Sequence, residues 1–160
     1  MLTEIALLPG LFIRKATPED QLFLESLFFS TRNYLYSMPL PKSQVDLLIK
    51  QQFLLQQASY SSSFPTAEIF IINHHSLPIG KVMVDVASDT IHIVDIALSE
   101  NARGKGWGSA LLRALKKYAE QEGQVLRLAV DQQNIRAKKL YLALGFRVAE
   151  SSLTHDTLLW

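Results

Sequence analysis

Three glycines alternate with larger residues in Gly104-Lys105-Gly106-Trp107-Gly108, directly after Arg103. This turn separates two strongly patterned stretches. Before it, Ile91-His92-Ile93-Val94-Asp95-Ile96-Ala97-Leu98 has the β-branched content of a buried strand. After it, Trp107, Leu111, Leu115, Tyr118 and Ala119 recur at helical spacing as far as Gly123. Strand, glycine-rich turn and helix in that order require an α/β architecture. Glycines permit positive φ and close backbone approach, and the first turn of a helix carries unpaired N–H groups. With Arg103, Lys105 and the helix dipole, the turn suits phosphate oxygens better than it suits an idle connector.

The register of the glycines excludes two familiar phosphate sites. A nucleoside-triphosphate loop needs G-x-x-x-x-G-K-[ST], and no lysine follows these glycines at that spacing. A dinucleotide fingerprint needs G-x-G-x-x-G, whereas this turn reads G-x-G-x-G. The preceding strands also read as antiparallel: Ala67 to Ile72, Ile79 to Ala87 and Ile91 to Leu98 are joined by short polar connections.

The remaining elements complete a single domain over residues 1–160. Leu11 to Lys15 reads as a strand, and Thr17-Pro18-Glu19-Asp20 opens a helix carrying Phe23, Leu24, Leu27 and Phe28. A second helix starts after Ser43 and runs toward Gln57, and Ser59-Tyr60-Ser61-Ser62-Ser63 reads as a loop. Val125 to Val130 is a strand, Asn134 to Leu144 a helix ended by Gly145, and Phe146 to Ala149 and Thr157 to Trp160 are final strands.

Composition narrows the function. With 160 residues, 48% of them hydrophobic, the chain can bury about 70% of its unfolded surface and needs no covalent staple. The absence of cysteine removes disulfides, thiolate metal sites and a cysteine nucleophile. No stretch reaches the ~20 apolar residues of a membrane helix, and the start, Met1-Leu2-Thr3-Glu4-Ile5, lacks a basic signal-peptide region. The chain therefore reads as soluble and cytoplasmic. A net charge of +1 argues against nucleic-acid or membrane-surface binding. Residues 91–160 carry 10 basic and 7 acidic side chains against 6 and 8 before them, a mild bias toward an anionic ligand in the second part. His74-His75 and His155 lack metal-ligand spacing, and adjacent histidines on an extended segment face opposite ways, so no metal is expected.

Arg103-x-x-Gly106-x-Gly108 after the strand Ile91–Leu98 resembles motif A of the GNAT acyl-CoA-dependent N-acetyltransferases. A second block, Asn134, Ala137, Leu140-Tyr141 and Gly145-Phe146, resembles that family's N-x-x-A-x-x-[LF]-Y-x-x-x-G-F pattern. The two matches stand in the right order across residues 91–149. The resemblance implies a GNAT fold: a mixed, mostly antiparallel sheet of six or seven strands flanked by about four helices. It implies acetyl-CoA as cosubstrate and direct transfer of its acetyl group to a primary amine in a ternary complex, a small-molecule amine being slightly favoured over a peptide or protein amine. By the same resemblance, Ile96, Ala97 and Leu98 would pair with the pantetheine arm, and the N–H groups of Arg103, Gly104, Lys105, Gly106, Trp107 and Gly108 would hold the pyrophosphate. Asn134 would touch the pantetheine, with a helix N-cap as its other reading. Tyr141 would act as acid toward the departing thiolate, with a core aromatic as its other reading. Arg136, Lys138 and Lys139 would either meet the adenosine 3′-phosphate or form a solvated helix face.

Transfer to an amine requires loss of the amine proton, because an alkylammonium near pKa ~10 has no lone pair to attack with. A strand N–H near Leu98 is the expected donor to the oxyanion. Among the side chains, Asp95, a lone acid among apolar residues, is the first candidate base. His92 titrates near neutrality but, three residues away, lies on the opposite face of a regular strand; a bulge would alter that. Bulk or relayed water stands ahead of either side chain as the route for the proton. Family members that acetylate a ribosomal-protein N-terminus carry a glutamate in the strand before Asn134, where this chain has Leu128-Ala129-Val130. That departure argues against their mechanism.

The acceptor is not legible. Arg32, Asn33, Tyr34, Tyr36, Met38, Pro39 and Pro41, with Tyr60 and Phe64, either enclose a small molecule or belong to the core, and Glu25 and Asp46 are the acids available to a cationic amine. A catalytically silent acyl-CoA-binding or scaffold domain, and a non-CoA phosphate binder, are the competing readings. Dimerisation through a sheet edge or Trp160 is left open.

Overall fold

The β-branched runs pair into one seven-stranded sheet in a computed structural model that describes residues Met1–Trp160. Its strands are β1 (Leu11–Lys15), β2 (Glu68–His74), β3 (Leu77–Val86), β4 (Thr90–Leu98), β5 (Val125–Asp131), β6 (Arg147–Ser151) and β7 (His155–Leu159), in the order β1-β2-β3-β4-β5-β7-β6. Only β4 and β5 run parallel, which a crossover helix makes possible. This is the mixed, mostly antiparallel α/β GNAT sheet expected, with four helices: α1 (Gln21–Thr31), α2 (Lys42–Ser63), α3 (Trp107–Gln121) and α4 (Ile135–Leu144). No helix is long and apolar enough to cross a membrane.

The two faces of the sheet bury different sets of side chains. Phe70, Ile72, Val82, Val84, Ile91 and Ile93 share the main cluster with Leu111, Leu112, Leu115 and Ala119 of α3. The alternate positions, Ile69, Lys81 and Met83, turn toward α1 and α2, where Phe28, Val45, Ile49 and Phe53 form a smaller cluster. Arg14 of β1 reaches Asp20 with two hydrogen bonds of 2.8 Å, and Asp20 also accepts Thr17 N at 2.8 Å. This carboxylate closes the turn of Pro18–Asp20 that leads into α1.

One expectation fails outright. The serine-rich stretch Ser59–Ser63 is the last part of α2, not a loop. Tyr60 and Phe64 meet edge to face with ring centroids 6.4 Å apart, and Phe64 packs in turn on His92 at 5.1 Å. Tertiary packing of these rings outweighs the weak helix preference of the serines.

Three ladders are irregular. Between β3 and β4, Met83 opposes Asp95 while Val84 opposes Ile93, leaving Val94 as an extra residue in β4. Comparable shifts interrupt β2 and β3 after Ile72, and β6 and β7 after Val148. The first of these irregularities lies at the centre of the candidate site.

Candidate active site

The strands β4 and β5 part company halfway. Thr90 to Ile93 pair with Val125 to Leu128, and the ladder stops there. On its other side β4 continues against β3, with Ile96 opposite Val82, Ala97 opposite Lys81 and Leu98 opposite Gly80. The β5-facing edge of Ile96–Leu98 therefore has no strand partner and opens into a cleft of about 560 Å³. A backbone edge of this kind is ready to pair with an extended ligand.

At one end of the cleft lies the glycine turn. Gly104 and Gly106 adopt φ of 74° and 79°, in the left-handed region, and a Cβ on either would meet nothing within 4 Å. The conformation, rather than crowding, accounts for the glycines. Backbone hydrogen bonding in α3 begins with Ala110 N to Gly106 O at 3.0 Å, so the N–H groups from Gly104 to Ser109 have no backbone acceptor. Arg103 Nε donates to Leu98 O at 3.1 Å and ties the turn to the end of β4. Trp107 stacks on His74 at 4.4 Å, and the Lys105 ammonium lies 5.1 Å from the Trp107 ring centre.

Most of the residues singled out from the sequence meet here. Ile96, Ala97, Leu98, Arg103, Gly104, Gly106, Trp107, Gly108, Asn134 and Tyr141 all line the cleft, joined by Thr31 from α1 and Arg136 from α4. Lys105 is set back against Trp107. Asn134 caps α4, its Oδ1 accepting Ala137 N at 3.2 Å, while also facing the cleft. Tyr141 packs on Phe146 with centroids 5.7 Å apart, and burial, then the Asp95 charge, pushes its hydroxyl above the ordinary range. It keeps its proton at neutral pH.

Several expectations need correction. His92 and Asp95 share one face of β4, because Val94 is inserted between them: Asp95 opposes Met83 and His92 opposes Asp85, two positions apart on β3. Burial, then the Arg127 charge, holds the His92 imidazole below its usual range against a weaker pull from Asp85. Lys138 is half-buried and does not line the cleft; it pairs with the buried Asp156 of β7, which also accepts hydrogen bonds from Ser151 and Gln132. His74 and His75 do not diverge. Their rings lie 4.3 Å apart because His75 takes a φ of 55° in the hairpin turn. Glu25 and Asp46 are occupied, the first by Lys50 at 2.8 Å and the second by Lys42 and the Tyr36 hydroxyl.

Asp95 does not line the cleft but lies beside it. Its Oδ2 is 2.8 Å from Lys81 Nζ, and both side chains are largely buried, at 25% and 12% exposure. Its charge reaches two tyrosines: Tyr141, and Tyr60 of α2, whose hydroxyl is pushed up to about 12 by burial and Asp95 against an opposing effect of Arg32. Lys81 escaped the reading of the sequence. The available signal was a lone lysine in one apolar strand and a lone acid in the next, at positions a hairpin brings together.

Comparison with known proteins agrees with this architecture. The profile of the acetyltransferase (GNAT) family matches residues 32–146. No curated protein is significantly similar in sequence. Among solved structures, the PaiA N-acetyltransferase of Thermoplasma acidophilum, in complex with coenzyme A, superposes with a TM-score of 0.68 at 20% identity, covering 93% of this chain and 97% of that one. An acetyltransferase from Thermus thermophilus gives 0.65 at 22% identity, covering 97% and 99%. The ribosomal-protein-S5-alanine acetyltransferase of Vibrio fischeri gives 0.62 at 18% identity, covering 98% and 95%.

Proposed function

The chain belongs to the acetyltransferase (GNAT) family, and on that premise we propose that residues 1–160 form one domain that moves an acetyl group from acetyl-CoA directly to a primary amine. The observation that carries the reading is the unpaired edge of Ile96–Leu98, which ends at a turn of free N–H groups and faces Tyr141.

The residues present fit such a cosubstrate. Open space lies over Gly104 and Gly106, where any side chain would intrude. Acetyl-CoA supplies an acetyl group activated as a thioester. Ile96, Ala97 and Leu98 pair with the pantetheine amides, and Asn134 contacts the same arm. The N–H groups from Gly104 to Gly108 hold the pyrophosphate, the Arg103 N–H being taken by Glu100 O, with the dipole of α3 and the Arg103 and Lys105 charges adding to the field. An N–H near Leu98 donates to the carbonyl oxygen as charge builds on it.

Asp95 accepts the amine proton. As the new N–C bond forms and the C–S bond breaks, Tyr141 gives its proton to sulfur. Without a cysteine there is no thiol to carry the acetyl group, in keeping with direct transfer.

The test has two stages. Acetyl-CoA at a hundred times its dissociation constant adds about 2.7 kcal/mol of stability, and the melting temperature should rise by several degrees, with ATP and NAD as inert controls. Thiol release with a panel of amines then reports transfer. Tyr141→Phe should lower kcat by about 10²-fold and leave cofactor affinity intact. Binding without turnover by any amine would instead identify a silent acyl-CoA-binding domain, and an equal shift with ATP a general phosphate binder.

A further inference from the structure

A second cavity, of about 370 Å³, lies between α1, α2 and the β2–β3 part of the sheet. That volume is at the small end of ligand sites and accommodates one small molecule. Its polar lining is Gln56, Gln57, Tyr60, Ser61 and Lys81, and Lys81 is the only charged group among them. Lys81 has three protons to donate, and Asp95 is its sole ionic partner. Asp95 lines neither cavity but links them: it pairs with Lys81 of the second one, and along β4 it directly precedes Ile96 and Ala97, which line the cleft.

An acceptor amine must reach Asp95 to lose its proton. A simple ammonium would bring a second cation against Lys81, with which it competes for one carboxylate. An amine that carries its own carboxylate meets no such conflict. Its ammonium faces Asp95 while its carboxylate faces Lys81, and the two opposite charges of the protein are matched by two opposite charges of the ligand. The ion-pair separation of 2.8 Å requires the ligand's charges to be close together, as they are when both groups share one carbon.

Resting on the acetyl-transfer reading, we propose that the second cavity is the acceptor site and that the acceptor is a free α-amino acid, its carboxylate held by Lys81 and its side chain among Gln56, Gln57, Tyr60 and Ser61. Asp95 takes the ammonium proton, the nitrogen forms the amide bond, and Lys81 stays charged throughout.

Thiol release from acetyl-CoA is measured with three matched sets: free amino acids, their carboxamides and the corresponding decarboxylated amines. At least one free amino acid should exceed its carboxamide and its decarboxylated amine tenfold or more in kcat/KM. In Lys81→Met that ratio should fall to about one. If this variant does not fold, Lys81→Arg, which keeps the charge, should raise KM and retain the preference. Equal turnover of all three sets overturns the proposal, as does a Lys81→Met enzyme that loses all three activities alike. Calorimetric titration of free amino acids onto the protein, alone and with CoA, separates the two levels of inference. Amino-acid binding without transfer to any amine sinks the transfer reading and the acceptor role with it, leaving only a binding site, whereas acetyl-CoA turnover with other amines and no amino-acid binding sinks this proposal alone.

Discussion

His74 and Trp107 stack with their rings 4.4 Å apart and inclined by 29°, joining the β2–β3 hairpin to the first residue of α3. Trp107 also lines the cleft, so the contact braces the residue that opens α3 within the glycine turn. Trp107→Ala should weaken acetyl-CoA binding about five- to tenfold, the equivalent of an aromatic pair worth roughly 1 kcal/mol. Calorimetry on the variant checks this, and His74→Ala should reproduce much of the effect.

Two glycines should fail in different ways. Gly145 has a φ of 118°, and a Cβ there would approach Trp160 Nε1 to 2.7 Å. Gly145→Ala combines backbone strain with a clash and should cost about 2–3 kcal/mol, read as a loss in melting temperature. Gly106→Ala meets no neighbour and should cost only about 1 kcal/mol, yet it places a methyl group in the cleft. Its main effect should be on acetyl-CoA affinity.

Asp20 makes the fold acid-sensitive. Its carboxyl is held well below the usual range, first by the Arg14 hydrogen bonds and then by Thr17 N–H. A lowered folded-state value means that its contribution is complete above about pH 4 and is lost as pH falls toward that lower value. Asp20→Asn should cost about 2 kcal/mol at pH 7 and progressively less below pH 4. Unfolding followed across pH 2–7 tests both parts.

His92 carries the opposite ionic character with the same direction of pH dependence. Because its folded-state value is lowered by burial and by Arg127, the unfolded chain takes up the proton first. Stability should therefore decline as pH falls below about 6.5, and His92→Gln should remove that part of the profile.

Legibility followed the range of the interactions that decide each feature. The strand, glycine turn and α3 were readable because positive φ at Gly104 and Gly106 and the 3.6-residue period are local properties. The N-cap role of Asn134 was readable for the same reason. The helical state of Ser59–Ser63 was not, because Phe64 and His92, which hold it, are distant in sequence from one another. The shared face of His92 and Asp95 depends on how β4 registers against β3, and a strand's own residues do not announce a bulge. Lys81 was hidden likewise: its meaning lies in Asp95 across the ladder.

The position of β7 has a consequence for synthesis. It is the last strand along the chain, yet it inserts between β5 and β6 and supplies the Asp156 that anchors Lys138 of α4. Asn134 and Tyr141 thus emerge from the ribosome before the strand that fixes their helix. A nascent chain can assemble β1 to β4 early, but its cleft stays unfinished until β7 is released. Stalled fragments ending before His155 should therefore resist proteolysis at the β2–β4 meander while failing to retain immobilised coenzyme A.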